Sequence, residues 1–331
     1  MTAGFRAAAP LRLDLAGGWT DVPPWSVREG GVVVSAAIAL HAHAEVRPGG
    51  TGYLLTAEDL GERAELPDAA ALAAAGPLPL LRAGLRLLPV RSCALTTRSD
   101  APPGCGLGSS GALDVALVAA LAAARGDPLD PRDIADLAFR LERIEAGIPG
   151  GRQDQFTAAF GGVLRLEFRD PDASVTPLEL DPALLAELER RMVLVYTGAS
   201  HFSGATIGRV MQAYERGDRT VTAALHGLRE AAERMVDALR AGDLARIGAL
   251  LDANWERQQA LDPGMCTPVM AGLGHAMRAA GALGGKAAGS GAGGSMFFLG
   301  ADDPAPAVDA ARAMGMTILP MRWSATGVRA C

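Results

Sequence analysis

The chain has no surplus of positive charge: 31 lysines and arginines stand against 37 aspartates and glutamates, for a net charge of −6. No dense basic run and no alternation of basic with aromatic residues offsets this, so the expectation is a protein that does not bind nucleic acid. Cysteine is scarce, and Cys93, Cys105, Cys266 and Cys331 form no CxxC pair. That spacing argues against both a zinc knuckle and a disulfide scaffold. His41 and His43 share one face of a strand but have no third ligand nearby in the sequence, so no zinc site is expected. Long apolar runs are missing as well. Residues 31–40 end at His41, and residues 112–124 contain Asp114; both runs are too short to span a bilayer. The first 18 residues lack the basic head, apolar run and cleavage site of a secretory signal. Together the missing membrane and signal segments predict a cytoplasmic protein with no membrane partner; a monomer or homodimer is expected.

What is present is a globular composition, 49% apolar and 21% charged over 331 residues. Leu11, Leu13 and Leu15 alternate with Arg12 and Asp14, which reads as a strand over residues 5–18. "GGWTDVPPW" then forms a fixed loop. Strand resumes over 30–47, and 52–60 is expected to pair with it. One or two helices fit 67–89, and a strand fits 92–102. Asp130 before Pro131 marks a helix start. Strands are predicted at 161–168, 191–198 and 295–300. Helices are predicted from about 205 to 248 with breaks at Gly217 and Gly242, then at 250–261, 269–280 and 304–314. The polar, proline-containing stretch 169–182 is the candidate crossing between two lobes, 1–182 and 183–331. Several alternating strands with long crossovers fit an α+β fold better than a doubly wound parallel sheet.

"PPGCGLGSSGALDVALVAAL" is the sharpest chemical signal. Gly104, Gly106 and Gly108 let backbone amides turn inward, and Ser109 or Ser110 is placed to cap the helix that follows. Amides gathered at a helix N-terminus suit phosphate oxygens, and Ser110 can ligate magnesium. The candidate nucleotide-binding residues are therefore Pro103, Gly104, Cys105, Gly106, Leu107, Gly108, Ser109 and Ser110. No lysine followed by serine or threonine closes the loop, so it is not a Walker A sequence. Serine stands where a dinucleotide fingerprint needs its third glycine, which argues against a nicotinamide dehydrogenase. The Cys105 thiol is read as a tolerated small side chain.

Phosphoryl transfer also needs a cation and a carboxylate near the attacking hydroxyl. Asp154 follows a glycine-rich break and is the candidate general base or hydroxyl-orienting group. Glu142 is the candidate magnesium ligand with Ser110, and Arg12 is the candidate stabiliser of charge on Asp154 or the γ-phosphate. Asp21, Trp19, Gly18 and Gly151 are the candidate substrate-binding residues; Trp19 either stacks on a sugar ring or belongs to the core, and Trp25 is structural. In "GGKAAGSGAGGSMFFLG", Gly289, Gly291, Gly293 and Gly294 are either a tight turn or a backbone wall closing the active site. His201 is either a substrate contact or a loop residue.

"PLRLDLAGGWTDVPPW", "PPGCGLGSSGA" and "GGKAAGSGAGGSMFF", in this order, resemble the galactokinase, homoserine kinase, mevalonate kinase and phosphomevalonate kinase superfamily. "GRQDQFTAAFGGVLRLEF" and "RWSATGVRA" resemble the D-glycero-D-manno-heptose 7-phosphate kinases. "GGWTDVPPWSVREGG" and "WERQQALDPGMCTP" lean toward the L-fucose kinases. The resemblance implies an N-terminal lobe like ribosomal protein S5 domain 2 and a ferredoxin-like C-terminal lobe, with ATP and Mg2+ as cofactors. It also implies a sugar or sugar phosphate phosphorylated on its anomeric hydroxyl. On this sequence it assigns the second-motif serine to Ser110, the helix glutamate to Glu142, the base to Asp154 and the sugar-contacting acid to Asp21. The heptose kinases have glycine where Trp19 stands and serine where Cys105 stands. A distal phosphate on the substrate would call on Arg152, Lys286 or Arg209. The alternatives are a fucokinase-like enzyme acting on an unphosphorylated sugar and a noncatalytic sugar- or nucleotide-binding relative.

Overall fold

The computed structural model describes residues 4–199 and 204–330. Leu11, Leu13 and Leu15 are all buried on β1 (Phe5–Ala16), as their alternation requires. A loop and the short α1 (Trp25–Arg28) lead to the long β2 (Gly31–Pro48). The hairpin of β3 (Tyr53–Ala57) and β4 (Glu62–Leu66) follows, then a 3-10 turn (Ala70–Ala73), α2 (Pro79–Leu87) and β5 (Cys93–Ser99). Next come α3 (Ser109–Ala124), α4 (Pro131–Arg140), a π-helical turn (Leu141–Glu145) and α5 (Gln153–Phe160). Asp130 caps α4 by accepting from the Asp133 amide, as its position before Pro131 predicts. β6 (Val163–Arg169) and β7 (Asp172–Pro177) complete the first half.

The remainder begins with α6 (Pro182–Arg191) and β8 (Met192–Tyr196), followed by α7 (Gly204–Glu215), α8 (Arg219–Ala241), α9 (Leu244–Gln259) and α10 (Pro268–Ala279). It ends with β9 (Gly284–Ala287), β10 (Ser295–Leu299), α11 (Ala305–Ala313), β11 (Thr317–Leu319) and β12 (Arg329–Ala330). Gly242 takes a left-handed conformation at the end of α8, and Asp218 and Asp243 cap the helices that restart after each glycine. No helix among the described residues is long and apolar enough to cross a membrane.

Two sheets carry these elements. The first runs β12-β1-β2-β5-β3-β4, with β6 on the first half of β2 and β7 on β6; the second, wholly antiparallel, runs β11-β8-β10-β9. The α+β expectation holds. Two details differ from the sequence reading. β3 pairs with β5 in parallel and with β4, not with β2, because β1 and β5 already occupy both edges of β2 there. The stretch 169–182 contains the returning strand β7, which pairs with β6 from Leu164–Pro177 to Arg169–Asp172, before the chain goes on to α6; the proline and aspartate at its start mark the β6–β7 hairpin turn.

Neither core is confined to one half of the sequence. Met235, Val236, Leu250 and Leu251 from α8 and α9 pack into the core of the first sheet. Trp19, Val22 and Trp25 from the first loop pack into the core of the second. Trp25 is fully buried, as its structural assignment requires.

Candidate active site

β1 delivers Arg12 to the junction of four segments. Its Nε donates to Asp154 Oδ1 at 2.7 Å, and its Nη1 donates to the carbonyls of Gly106 at 2.9 Å and Ala288 at 2.7 Å. Its amide donates to the Leu107 carbonyl at 3.0 Å. Burial opposes the guanidinium charge, but Asp154, Asp14 and Asp21 outweigh it and raise the Arg12 pKa. One buried cation thus ties the first strand, both glycine runs and α5 together.

The first glycine run ends at Gly108, which is left-handed and precedes α3 without any side-chain cap. The expected serine cap is therefore absent, because both hydroxyls are engaged elsewhere. Ser110 Oγ donates to Glu142 Oε1 at 2.7 Å, and Ser109 Oγ lies 3.5 Å from Cys105 Sγ. Among the described residues no side chain caps the start of α3, the arrangement an anion can take up. Cys105 is buried, and burial pushes its thiol pKa up, which leaves it unactivated.

The acidic side chains converge on one cleft of about 630 Å³. Glu142 lies on the π-helical turn, its Oε2 accepting from Gln155 Nε2 at 2.6 Å. Burial lifts its pKa to about 7, Asp154 adds to the effect, and the bonds from Ser110 and Gln155 oppose it. A buried carboxylate whose hydrogen-bond donors are both neutral is a fitting cation ligand. Beneath it, Asp114 is fully buried with no hydrogen-bond partner on either oxygen among the described residues, and burial drives its pKa well above the ordinary range. Asp154 Oδ1 takes the Arg12 bond, while its side chain keeps 27% exposure toward the cleft.

Asp21 reaches across from the first loop to the start of α5. Its Oδ2 accepts from the Arg152 amide at 2.8 Å and the Gln153 amide at 3.0 Å, and its Oδ1 accepts from Gln153 Nε2 at 3.3 Å. The acid expected to face a sugar therefore also caps the helix that carries Asp154. Burial raises its pKa to about 6. Gly151 and Gly18 are required by close approach: a Cβ on either would lie 2.0 Å from an oxygen of Asp21 or Asp14, respectively. Trp19 has a left-handed φ of 80°, a strained conformation for a bulky residue, and it both lines the cleft and joins the second core. Its Nε1 and the Gln153 Oε1 are buried without partners among the described residues.

The second glycine run backs onto the first. Ser295 donates its amide to the Cys105 carbonyl at 2.7 Å, and a Cβ on Gly289 would stand 2.5 Å from the Gly106 carbonyl oxygen. Of this run's four glycines only Gly289 lines the cleft; Gly291 packs on Met265 and Gly294 on the Cys105 carbonyl, and Gly293 lies between them. Pro103 and Leu107 do not line it either; Leu107 is fully buried in the core. Arg12, Gly18, Trp19, Asp21, Gly104, Cys105, Gly106, Gly108, Ser109, Ser110, Glu142, Gly151 and Asp154 all do.

The three cations expected to serve a distal phosphate are elsewhere. Arg152 pairs with Asp136 and Asp170, Lys286 with Asp14 and Arg209 with Asp262, and none of the three lines the cleft. His201 lies outside the described residues. Sequence reasoning missed Gln155 and the apolar wall of Leu60, Leu78, Leu80, Leu81 and Ile148. Gln155 sits beside Asp154 in "RQDQF", a polar cluster at a helix start that could have been read as a site; the leucines carry no local signal.

Residues 70–162 match the family described as GHMP kinases N terminal domain, and residues 235–315 match GHMP kinases C terminal. The D-glycero-alpha-D-manno-heptose 7-phosphate kinase of Campylobacter jejuni is 30% identical over 89% of this chain and 88% of its own length. The bifunctional fucokinase/GDP-fucose pyrophosphorylase of Arabidopsis thaliana is 28% identical over 77% of this chain, which spans only 26% of that protein. The crystal structure of a D-glycero-D-manno-heptose 1-phosphate kinase from Bacteroides thetaiotaomicron superposes with a TM-score of 0.79 at 28% identity, covering 99% of this chain and 98% of the other.

Proposed function

The chain belongs to the GHMP kinases, and we propose that it moves the terminal phosphoryl group of ATP, with Mg2+, to the anomeric hydroxyl of a sugar. The observation that carries this reading is the Ser110–Glu142 pair placed beside the Arg12–Asp154 pair at the uncapped start of α3. In this assignment the glycine run from Pro103 to Ser110 cradles the phosphates with its amides. Ser110 and Glu142 hold the cation, which when bound neutralises charge on the phosphate oxygens. A magnesium site needs only one or two protein ligands when phosphates supply the others. Asp154 takes or orients the proton of the acceptor hydroxyl, and Arg12 holds that carboxylate in place and offers positive charge to the transferring group. Trp19, Asp21, Gly18 and Gly151 form the sugar side, and the leucine wall receives the base of the nucleotide. The two lobes are assigned to residues 1–182 and 183–331.

D-glycero-D-manno-heptose 7-phosphate is the first acceptor proposed, carried over from the Campylobacter relative. A second reading, an unphosphorylated sugar of the fucokinase kind, is favoured by charge. Arg12 is the one cation among the described residues that line the cleft, and it is committed to Asp154 and two carbonyls. Trp19 Nε1 and Gln153 Oε1, buried without partners among the described residues, suit hydroxyl groups.

The test is ATP consumption with magnesium on the heptose 7-phosphate, the free heptose, L-fucose, D-mannose and galactose, with the product's phosphate located by phosphorus NMR. An anomeric phosphate on the 7-phosphate supports the first reading, and on a free sugar the second. No transfer to any of them would favour a noncatalytic sugar- or nucleotide-binding role.

A further inference from the structure

Helix α9 does not line the cleft, yet two of its fully buried side chains, one turn apart, reach the two loops that do. Asn254 Oδ1 accepts from the Gly17 amide at 2.9 Å, at the root of the loop that carries Trp19 and Asp21. Gln258 Nε2 donates to the Gly289 carbonyl at 2.7 Å, at the root of the second glycine run. A third group joins from β9: Lys286 Nζ, also fully buried, donates to the Asp14 carbonyl at 2.7 Å and to Asp14 Oδ2 at 2.9 Å. Asp14 Oδ1 in turn accepts from the Gly18 amide at 3.3 Å. Asn254 and Lys286 therefore grip the same five-residue stretch, 14–18, from opposite directions along the chain.

Composition gives a second, independent reason to take these contacts seriously. Lys286 is the single lysine among 31 basic residues, and Asn254 is the single asparagine in the chain. In a protein that otherwise uses arginine for every basic position, the one compact ammonium stands where two acceptors of a single residue must be met in a closed space. An arginine fork presents its donors in a fixed plane and is not equivalent there. The one asparagine stands where a buried backbone N–H needs a short neutral acceptor.

We propose that the C-terminal half positions the two substrate loops separately: Asn254 and Lys286 hold the sugar loop, and Gln258 holds the second glycine run behind the phosphate loop. These are positioning residues, acting through Gly17, Asp14 and Gly289, and the allocation of loops to substrates rests on the function proposed above. Because the two grips leave one helix at different residues, each can be released without the other.

The experiment pairs hydrogen–deuterium exchange with steady-state kinetics on the full chain carrying Asn254→Ala or Gln258→Ala. Losing one buried hydrogen bond should speed exchange at the loop it held by roughly ten-fold. Asn254→Ala should loosen peptides covering 17–22 and spare those covering 289–295, and Gln258→Ala should do the reverse. Lys286→Met, which leaves α9 untouched, should repeat the Asn254→Ala pattern. With the best acceptor of the panel, Asn254→Ala should raise the sugar KM with little change in the ATP KM, and Gln258→Ala should raise the ATP KM instead. Equal loosening of both loops by either variant, or of neither, overturns the proposal. Separate loosening without the matching split in KM keeps the two grips and overturns the assignment of loops to sugar and nucleotide.

Discussion

The two glycine runs look alike in sequence and do opposite things in the fold. The first, 104–108, ends at an uncapped helix start and faces the cleft. The second, 289–294, feeds a strand, is largely hidden behind the first and touches the cleft through Gly289. Glycine in the first run turns the chain into α3 with no side-chain cap, whereas glycine in the second lets two backbones meet without side chains between them. A glycine-rich string is thus informative about chemistry only together with the element that follows it.

If groups docked on the first run carry chemistry and the second run carries assembly, variants should divide accordingly. Asp154 packs against Gly108 and Gly111. Asp154→Asn should lower kcat by roughly 10²- to 10⁴-fold while leaving the ATP KM little changed. Near-normal turnover would remove Asp154 from the chemistry. Next in size, Glu142→Gln should raise the magnesium concentration for half-maximal rate by about ten-fold or more, and Ser110→Ala should do so to a smaller extent. An unchanged magnesium titration would reject the pair as ligands.

The comparison sharpens further at the contact itself. A Cβ on Gly289 would stand 2.5 Å from the Gly106 oxygen, whereas a Cβ on Gly106 meets nothing nearer than 3.8 Å. Gly289→Ala should therefore destabilise by about 1–3 kcal/mol through overpacking. Gly106→Ala, at φ 80°, should cost about 1–2 kcal/mol of backbone strain alone. Thermal unfolding of the two variants would test this ranking, and a larger loss at Gly106 would reverse it.

A further effect is expected in pH dependence. Folded Asp21 titrates at about 6, above its ordinary 3.8, because it is buried. Between those values the folded chain keeps a proton that the unfolded chain has released, so this contribution to stability falls as pH rises through that window and is constant above it. Asp21→Asn removes the contribution. The melting temperature of the variant relative to the parent should rise from pH 4 to about pH 6 and then level off; a flat difference would contradict the raised pKa.

Sequence alone determined the elements with strong local causes. The alternation Leu11-Leu13-Leu15, the Asp130–Pro131 start of α4 and the helix breaks at Gly217 and Gly242 are each set by neighbours within a few residues, and the structure keeps them. The α+β class followed from their order. Only the tertiary structure decided what those elements meet. It placed β5 where β3 was expected and folded residues 172–177 of the proline-containing stretch back onto β6 as β7. It took the serines from the α3 cap to Glu142 and Cys105, and it carried Arg152, Lys286 and Arg209 out of the cleft. The reason is common to all four. A strand edge, a hydroxyl or a cation takes the partner that satisfies its polar groups, and which partner that is depends on the packed fold: Cys105 lies four residues from Ser109, Glu142 lies 32 from Ser110 and Asp14 lies 272 from Lys286.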